Sequence, residues 1–153
     1  LVFMLAVSAF PAKAADPAFL TIGAGYYDIN DNEDAAEFRA EIRRADKVGI
    51  FKPFYGLMAT SDRAFYGYGG LLVDIFFGKR VVLTPNFAAG LYADGDGKDL
   101  GHAVEFRSAL DLAWRFDNRA RLGLSFYHIS NASISSNNPG TEVLSVVYSI
   151  PLK

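Results

Sequence analysis

Residues 122–152 read LGLSFYHISNASISSNNPGTEVLSVVYSIPL. Two alternating runs flank a loop rich in Ser, Asn, Pro and Gly, the pattern of two strands joined at one end. Side chains of equal parity share a face of a strand. Leu122, Leu124, Phe126, His128 and Ser130 therefore lie together, with Arg121, Gly123, Ser125 and Tyr127 on the reverse. Past the loop, Glu142 shares a face with Leu144, Val146, Tyr148, Ile150 and Leu152, while Ser145 and Ser149 turn away. Three polar residues thus end an apolar stripe. Setting Glu142 opposite His128 makes the loop symmetrical and brings their Cβ atoms to about 5 Å. Ser130 is then the next same-face neighbour, about 7 Å along the strand. A histidine between an acid and a hydroxyl is the arrangement of a nucleophilic hydrolase.

The same alternation runs through the rest of the chain. Strands are expected near 19–28, 35–45, 49–60, 64–77, 80–92, 103–116, 119–130 and 141–152. In the second, Glu37, Arg39, Glu41 and Arg43 oppose Phe38, Ala40 and Ile42. In the sixth, Glu105, Arg107, Asp111 and Arg115 oppose Val104, Phe106, Leu110, Leu112, Trp114 and Phe116. A soluble lipocalin-type barrel also has one polar and one apolar face, so periodicity alone does not say which points inward. The connections favour one answer. Those after the second, fourth and sixth strands are tight, at Asp46–Val48, Gly78–Lys79 and Asp117–Asn118. Those after the odd strands are longer and polar, as at Ile29–Asp34, Ala93–His102 and Asn131–Gly140, with Ser61–Arg63 the short exception. Short turns at one end and long loops at the other, with an even strand number, mark an outer-membrane barrel.

The expected fold is all-β: an eight-stranded antiparallel transmembrane β-barrel over residues 15–153, preceded by a signal peptide at 1–14. That leader rests on the apolar run LVFMLAVSAF followed by Ala12-Lys13-Ala14, a small-x-small cleavage pattern, with the basic start of a signal missing. Such a barrel has an interior just wide enough for side chains. Glu37, Arg39, Arg43, Glu105, Arg107, Asp111 and Arg115 are expected to fill it as paired charges, leaving no pore. With both termini on the periplasmic side, His128, Ser130 and Glu142 fall near the extracellular rim, on the lipid-facing wall. In a Gram-negative outer membrane, that is the level of lipopolysaccharide and the acyl esters of lipid A.

Composition agrees with one such domain. The chain has 153 residues, with 13 Phe, 8 Tyr and 14 Gly, a mixture suited to twisted sheet. A net charge of −2 gives no general attraction to nucleic acid. Without cysteine, disulfides, thiol catalysis and Cys-based metal sites are excluded.

The closing segment resembles the PagL-type lipid A 3-O-deacylases, a family of outer-membrane barrel esterases. The likeness rests on His128-x-Ser130-Asn131, then Asn138-x-Gly140-x-Glu142, then an apolar last strand. The family's triad is a His, a Ser two positions on and a Glu twelve beyond; His128, Ser130 and Glu142 keep both spacings. The resemblance implies that these three are catalytic and that Asn131 and Asn138 line the site, one or both supplying oxyanion donors. It implies lipid A or lipopolysaccharide in the outer membrane as partner. A monomer or homodimer without cofactor is expected, and a metal site at His128 and Glu142 is poor with only two histidines and no cysteine. One departure is the ending Ile150-Pro151-Leu152-Lys153, where outer-membrane barrels usually close on an aromatic residue.

Simpler readings compete. His128 beside Tyr127 suits an interfacial aromatic girdle, and Ser130-Asn131 suits the start of a turn. Glu142 is harder to dismiss, because a carboxylate on a lipid-facing stripe is costly unless paired or near the rim. His102, in a long polar loop, reads as solvated. Asp94-Gly-Asp96-Gly-Lys-Asp99 lacks the distal glutamate of a calcium loop. Arg63 and Lys98 read as solvated rim cations, or as contacts for lipid A phosphates. The competing function is a non-catalytic small barrel serving as anchor, adhesin or envelope-stabilising protein.

Overall fold

The computed structural model describes residues 16–153. The segment expected to be a signal peptide, 1–14, lies outside the described residues. The chain forms β1 (Phe19–Tyr27), β2 (Ala35–Arg43), β3 (Lys52–Thr60), β4 (Phe65–Leu72), β5 (Ile75–Phe77), β6 (Val81–Ala93), β7 (Val104–Arg115), β8 (Arg121–Ser130) and β9 (Thr141–Pro151). Every pairing is antiparallel. β1 pairs with β9 as well as β2, and β4 pairs with β6, so the sheet closes on itself.

Nine segments make eight staves, because β4 and β5 are one stave interrupted opposite Pro85. Leu72 faces Asn86 and Ile75 faces Leu83, so the register passes through the gap unchanged. Pro85 has no N–H to give the ladder, and only the bond from Val73 N to the Pro85 carbonyl, 3.1 Å, remains there. The stave expected at 64–77 is thus present with a local break. The connection after β2 is longer than expected. Its tip is Gly49–Ile50 between the bridged pair Val48 and Phe51, with Gly49 at φ +66°, so β3 begins at Lys52 rather than near 49.

Both faces follow parity. Glu37, Arg39, Glu41 and Arg43 of β2 are buried inside the barrel, as are Arg107 and Asp111 of β7. Glu41 is the hub: its carboxylate lies 2.7 Å from Arg43 and 3.4 Å from both Arg39 and Arg107, and accepts the Tyr68 hydroxyl at 2.8 Å. Arg43 also reaches Asp111 at 2.6 Å, and Arg107 lies over the Tyr127 ring. Most of the expected charges are therefore paired across the lumen. Glu105 departs from this: no ion pair is described for its carboxylate, whose contact is with the His102 backbone; its neighbour across the ladder is Gly90, which offers no side chain. At the turn end, Asp16 bridges Arg115 and Arg121, and Asp74 bridges Arg121 and Lys52. This cluster plugs that end of the barrel.

The outer wall is apolar. Phe38, Leu57, Leu91, Leu112, Trp114, Leu124 and Val146 are each about half exposed or more. Among the described residues no helix is long and apolar enough to cross a membrane, which leaves strands as the spanning elements.

Candidate active site

On the outer wall, the strands present very few polar side chains other than tyrosines: Ser108 of β7, His128 and Ser130 of β8, and Glu142 of β9. All four sit together. Glu142 pairs directly with His128, and His128 pairs on its other side with Ser108. Glu142, His128 and Ser108 thus form a row across three strands, and Ser130 stands two residues along from His128 on the same face. The clustering follows from register. A shift of one residue in β9 would turn Glu142 into the lumen.

His128 Nδ1 lies 2.8 Å from Glu142 Oε1. The side chains are 43% and 24% exposed, so the pair is open on its lipid side. Because a carboxylate only accepts hydrogen bonds, the contact places the imidazole proton on Nδ1 and leaves Nε2 as the basic nitrogen. The described hydrogen bonds include none between Ser130 and the ring.

The loop 131–140 shapes the rest. Asn131 is fully buried. Its Nδ2 donates to the carbonyls of Leu100 (3.0 Å) and Asn137 (2.9 Å), and its backbone N–H donates to Asn138 Oδ1 at 3.0 Å. Every donor of Asn131 is therefore committed, and the residue ties the 131–140 loop to the 94–103 loop. The same contact orients Asn138: with Oδ1 taken, its Nδ2 group is the one left to donate. Ala132 and Ser133, both at positive φ, form a turn closed by Ile134 N to the Asn131 carbonyl. Such turns normally take Asn-Gly, so the backbone beside Ser130 is strained. Gly140, also at positive φ, passes beside the imidazole.

A second layer of contacts fixes the start of β9. Thr141 Oγ1 donates to Asp28 Oδ1 at 2.8 Å, and Lys98 Nζ lies 2.8 Å from Asp28 and 3.1 Å from Asp31. The Ile29 N–H donates to the Glu142 carbonyl, 3.1 Å away. Lys98 is therefore no rim cation: it is 6% exposed and holds two loops against the strand carrying Glu142. Burial opposes its charge, but Asp28 and Asp31 together hold its pKa above the usual lysine value. Asp31 is held below the usual carboxylate range by the Asn32 N–H and by Lys98. Arg63 stays at the surface beside Asp96, and His102 is exposed, its Nδ1 accepting the Val104 N–H. Sequence reasoning missed Ser108, although its parity on β7 could have placed it on the outer face. It also missed the pairing of Lys98 with Asp28, for which no local pattern gives a signal.

A closed eight-stave barrel with an apolar outer wall and a charged lumen is an outer-membrane protein of the smallest barrel class. Among solved structures, the outer-membrane enzyme PagL matches with a TM-score of 0.66 at 16% identity, covering 88% of this chain and 99% of that one. Neisserial surface protein A (NspA) matches at 0.62 and 9% identity over 92% and 100%. The Yersinia pestis outer membrane protein Ail matches at 0.50 and 12% over 87% and 99%. At these identities the likeness is one of fold. No curated protein gives a significant match to the sequence. The sequence profile of the family described as lipid A 3-O-deacylase (PagL) matches residues 60–151. The chain belongs to the PagL family.

Proposed function

We propose that the protein is a serine esterase of the outer membrane, with its site toward the outer leaflet, that removes the ester-linked 3-hydroxyacyl chain from the 3-position of lipid A. The observation carrying this reading is the His128–Glu142 contact at 2.8 Å on a wall that otherwise faces lipid. Family membership supplies the substrate class. An open apolar groove of about 610 Å³ supports an acyl substrate. Its lining includes Ser108, the cross-strand neighbour of His128, with Leu71, Phe87, Gly69 and Ala89.

His128 Nε2 takes the proton of Ser130 Oγ as that oxygen attacks the ester carbonyl. Nucleophile–base contacts of this kind commonly close only with substrate in place. Glu142 accepts a hydrogen bond from Nδ1–H, fixing the tautomer and stabilising the imidazolium. Asn138 Nδ2 donates to the tetrahedral oxyanion. Collapse expels the 3-oxygen of the glucosamine, which takes the proton back from His128. Water then attacks the acyl-serine by the same proton route and releases a 3-hydroxy fatty acid.

The test is mass spectrometry of lipid A from cells expressing the protein. Loss of one 3-hydroxyacyl chain, abolished by Ser130→Ala in a barrel that still folds, is the expected result. Retained deacylation in Ser130→Ala would remove serine from the role. Lipid A unchanged by the wild-type protein would favour the non-catalytic barrel, a reading that the fold likeness to NspA and Ail keeps in play.

A further inference from the structure

Gly140 has no role in the chemistry above, yet it occupies a restricted place. Its φ is +65°, and a Cβ built on its backbone would lie 2.8 Å from His128 Cε1, 3.4 Å from Nε2 and 3.3 Å from the Ile129 carbonyl oxygen. Carbon atoms in contact normally stay about 3.5–4.0 Å apart, so nothing larger than hydrogen fits between this backbone and the ring in its present position. The neighbouring ring nitrogen, Nδ1, is held by Glu142 at 2.8 Å. The imidazole thus meets a carboxylate at Nδ1 and bare main chain beside Cε1. Other glycines of the chain at positive φ lack this relation: Gly49 and Gly78 face open space, while Gly95 and Gly101 crowd only loop atoms.

We propose that Gly140 is a positioning residue, whose missing side chain lets the His128 ring sit with Nδ1 on Glu142 and leaves Nε2 uncovered. The proposal rests on the esterase reading for its kinetic consequence, but not for its geometry. The backbone at 140 is restrained by its neighbour Thr141, whose side chain donates to Asp28. The ring is the mobile partner, and its displacement would spoil proton transfer more than substrate binding. A misplacement of about 1 Å in such a site costs roughly 10²-fold in rate.

Two substitutions separate the seat from backbone strain. Asparagine tolerates positive φ and so adds a Cβ with little strain, whereas alanine adds both. In Gly140→Asn, with folding verified by heat-modifiable gel mobility, kcat on lipid A is expected to fall about 100-fold with KM nearly unchanged. Gly140→Ala is expected to do the same, and serves if the asparagine variant does not fold. The direct readout is the His128 Nδ1 proton resonance in detergent micelles. It is assignable because the chain has only two histidines, and His102→Gln removes the other. That resonance should be lost or shifted in both variants. Near wild-type kcat, or an unmoved resonance, would overturn the proposal. A wild-type protein inactive on lipid A would instead sink the esterase reading, and the resonance alone would then decide whether Gly140 seats the ring.

Discussion

At the scale of single residues, two asparagines that look alike in sequence are bonded differently. Asn131 has spent its donors on Leu100, Asn137 and Asn138, and Asn138 keeps its NH₂ group free. Asn138→Ala should therefore lower kcat by about 10²–10³ with little effect on folding, the usual result of deleting one oxyanion donor. Asn131→Ala should mainly loosen the loop, detectable as faster proteolysis between 131 and 140. Glu142→Gln keeps the shape of the side chain but lets it donate to Nδ1, favouring the wrong tautomer; a loss of up to roughly 10⁴-fold in kcat is expected. If Glu142→Gln left kcat within a few-fold of wild type, the carboxylate would have no orienting role.

At the scale of elements, three loop regions meet where β9 begins. Lys98 comes from the β6–β7 connection, Asp28 and Asp31 from the β1–β2 connection, and Thr141 opens the strand that carries Glu142. Lys98→Met would leave the fully buried Asp28 without its cation. Removing one partner of a buried pair typically costs about 3–5 kcal/mol, to be read from urea unfolding in micelles, and deacylation should fall with it. The pKa directions give the pH dependence. Asp31 lies below its ordinary value, so its contribution is complete above that value and declines as pH falls through the lowered one. Lys98 lies above its ordinary value, so its contribution is complete below that and declines as pH rises through the raised one. The loop end should thus be most resistant to protease between about pH 4 and 10, and a monotonic dependence across that range would contradict the pairing.

At the scale of the whole molecule, one inside-out barrel sets the energetics: charges fill the lumen and hydrocarbon covers the wall. Leu124 sits in the middle of the outer belt, between Leu112 and Val146 on neighbouring strands. Leu124→Arg should destabilise folding into lipid vesicles by about 2–4 kcal/mol, as arginine does at a bilayer midplane. The same change should matter far less if that face were turned to water. The lumen, by contrast, is sealed by side chains from β2, β7 and β8, with the Asp16–Arg121–Asp74 cluster at the turn end.

The sequence by itself determined the stave count, the apolar outer face, the charged lumen and the alignment of His128 with Glu142. The count and the alignment follow from a period of two and from a symmetrical loop between β8 and β9; which face points outward follows from the alternation of short turns and longer loops. It also indicated the family, because His128, Ser130 and Glu142 keep their spacing within one hairpin. Only the tertiary structure decided what depends on closure of the barrel. Lys98 and Asp28 are 70 residues apart, and Thr141 and Asp28 are 113 apart; neither pairing leaves a periodic trace. The commitment of Asn131 to Leu100, the placing of Ser108 beside His128, and the bare backbone of Gly140 against the ring belong to the same class. Alternation is a property of one strand, whereas a partner for a buried donor or a seat for a ring exists only once distant loops have been brought to the same end of the barrel.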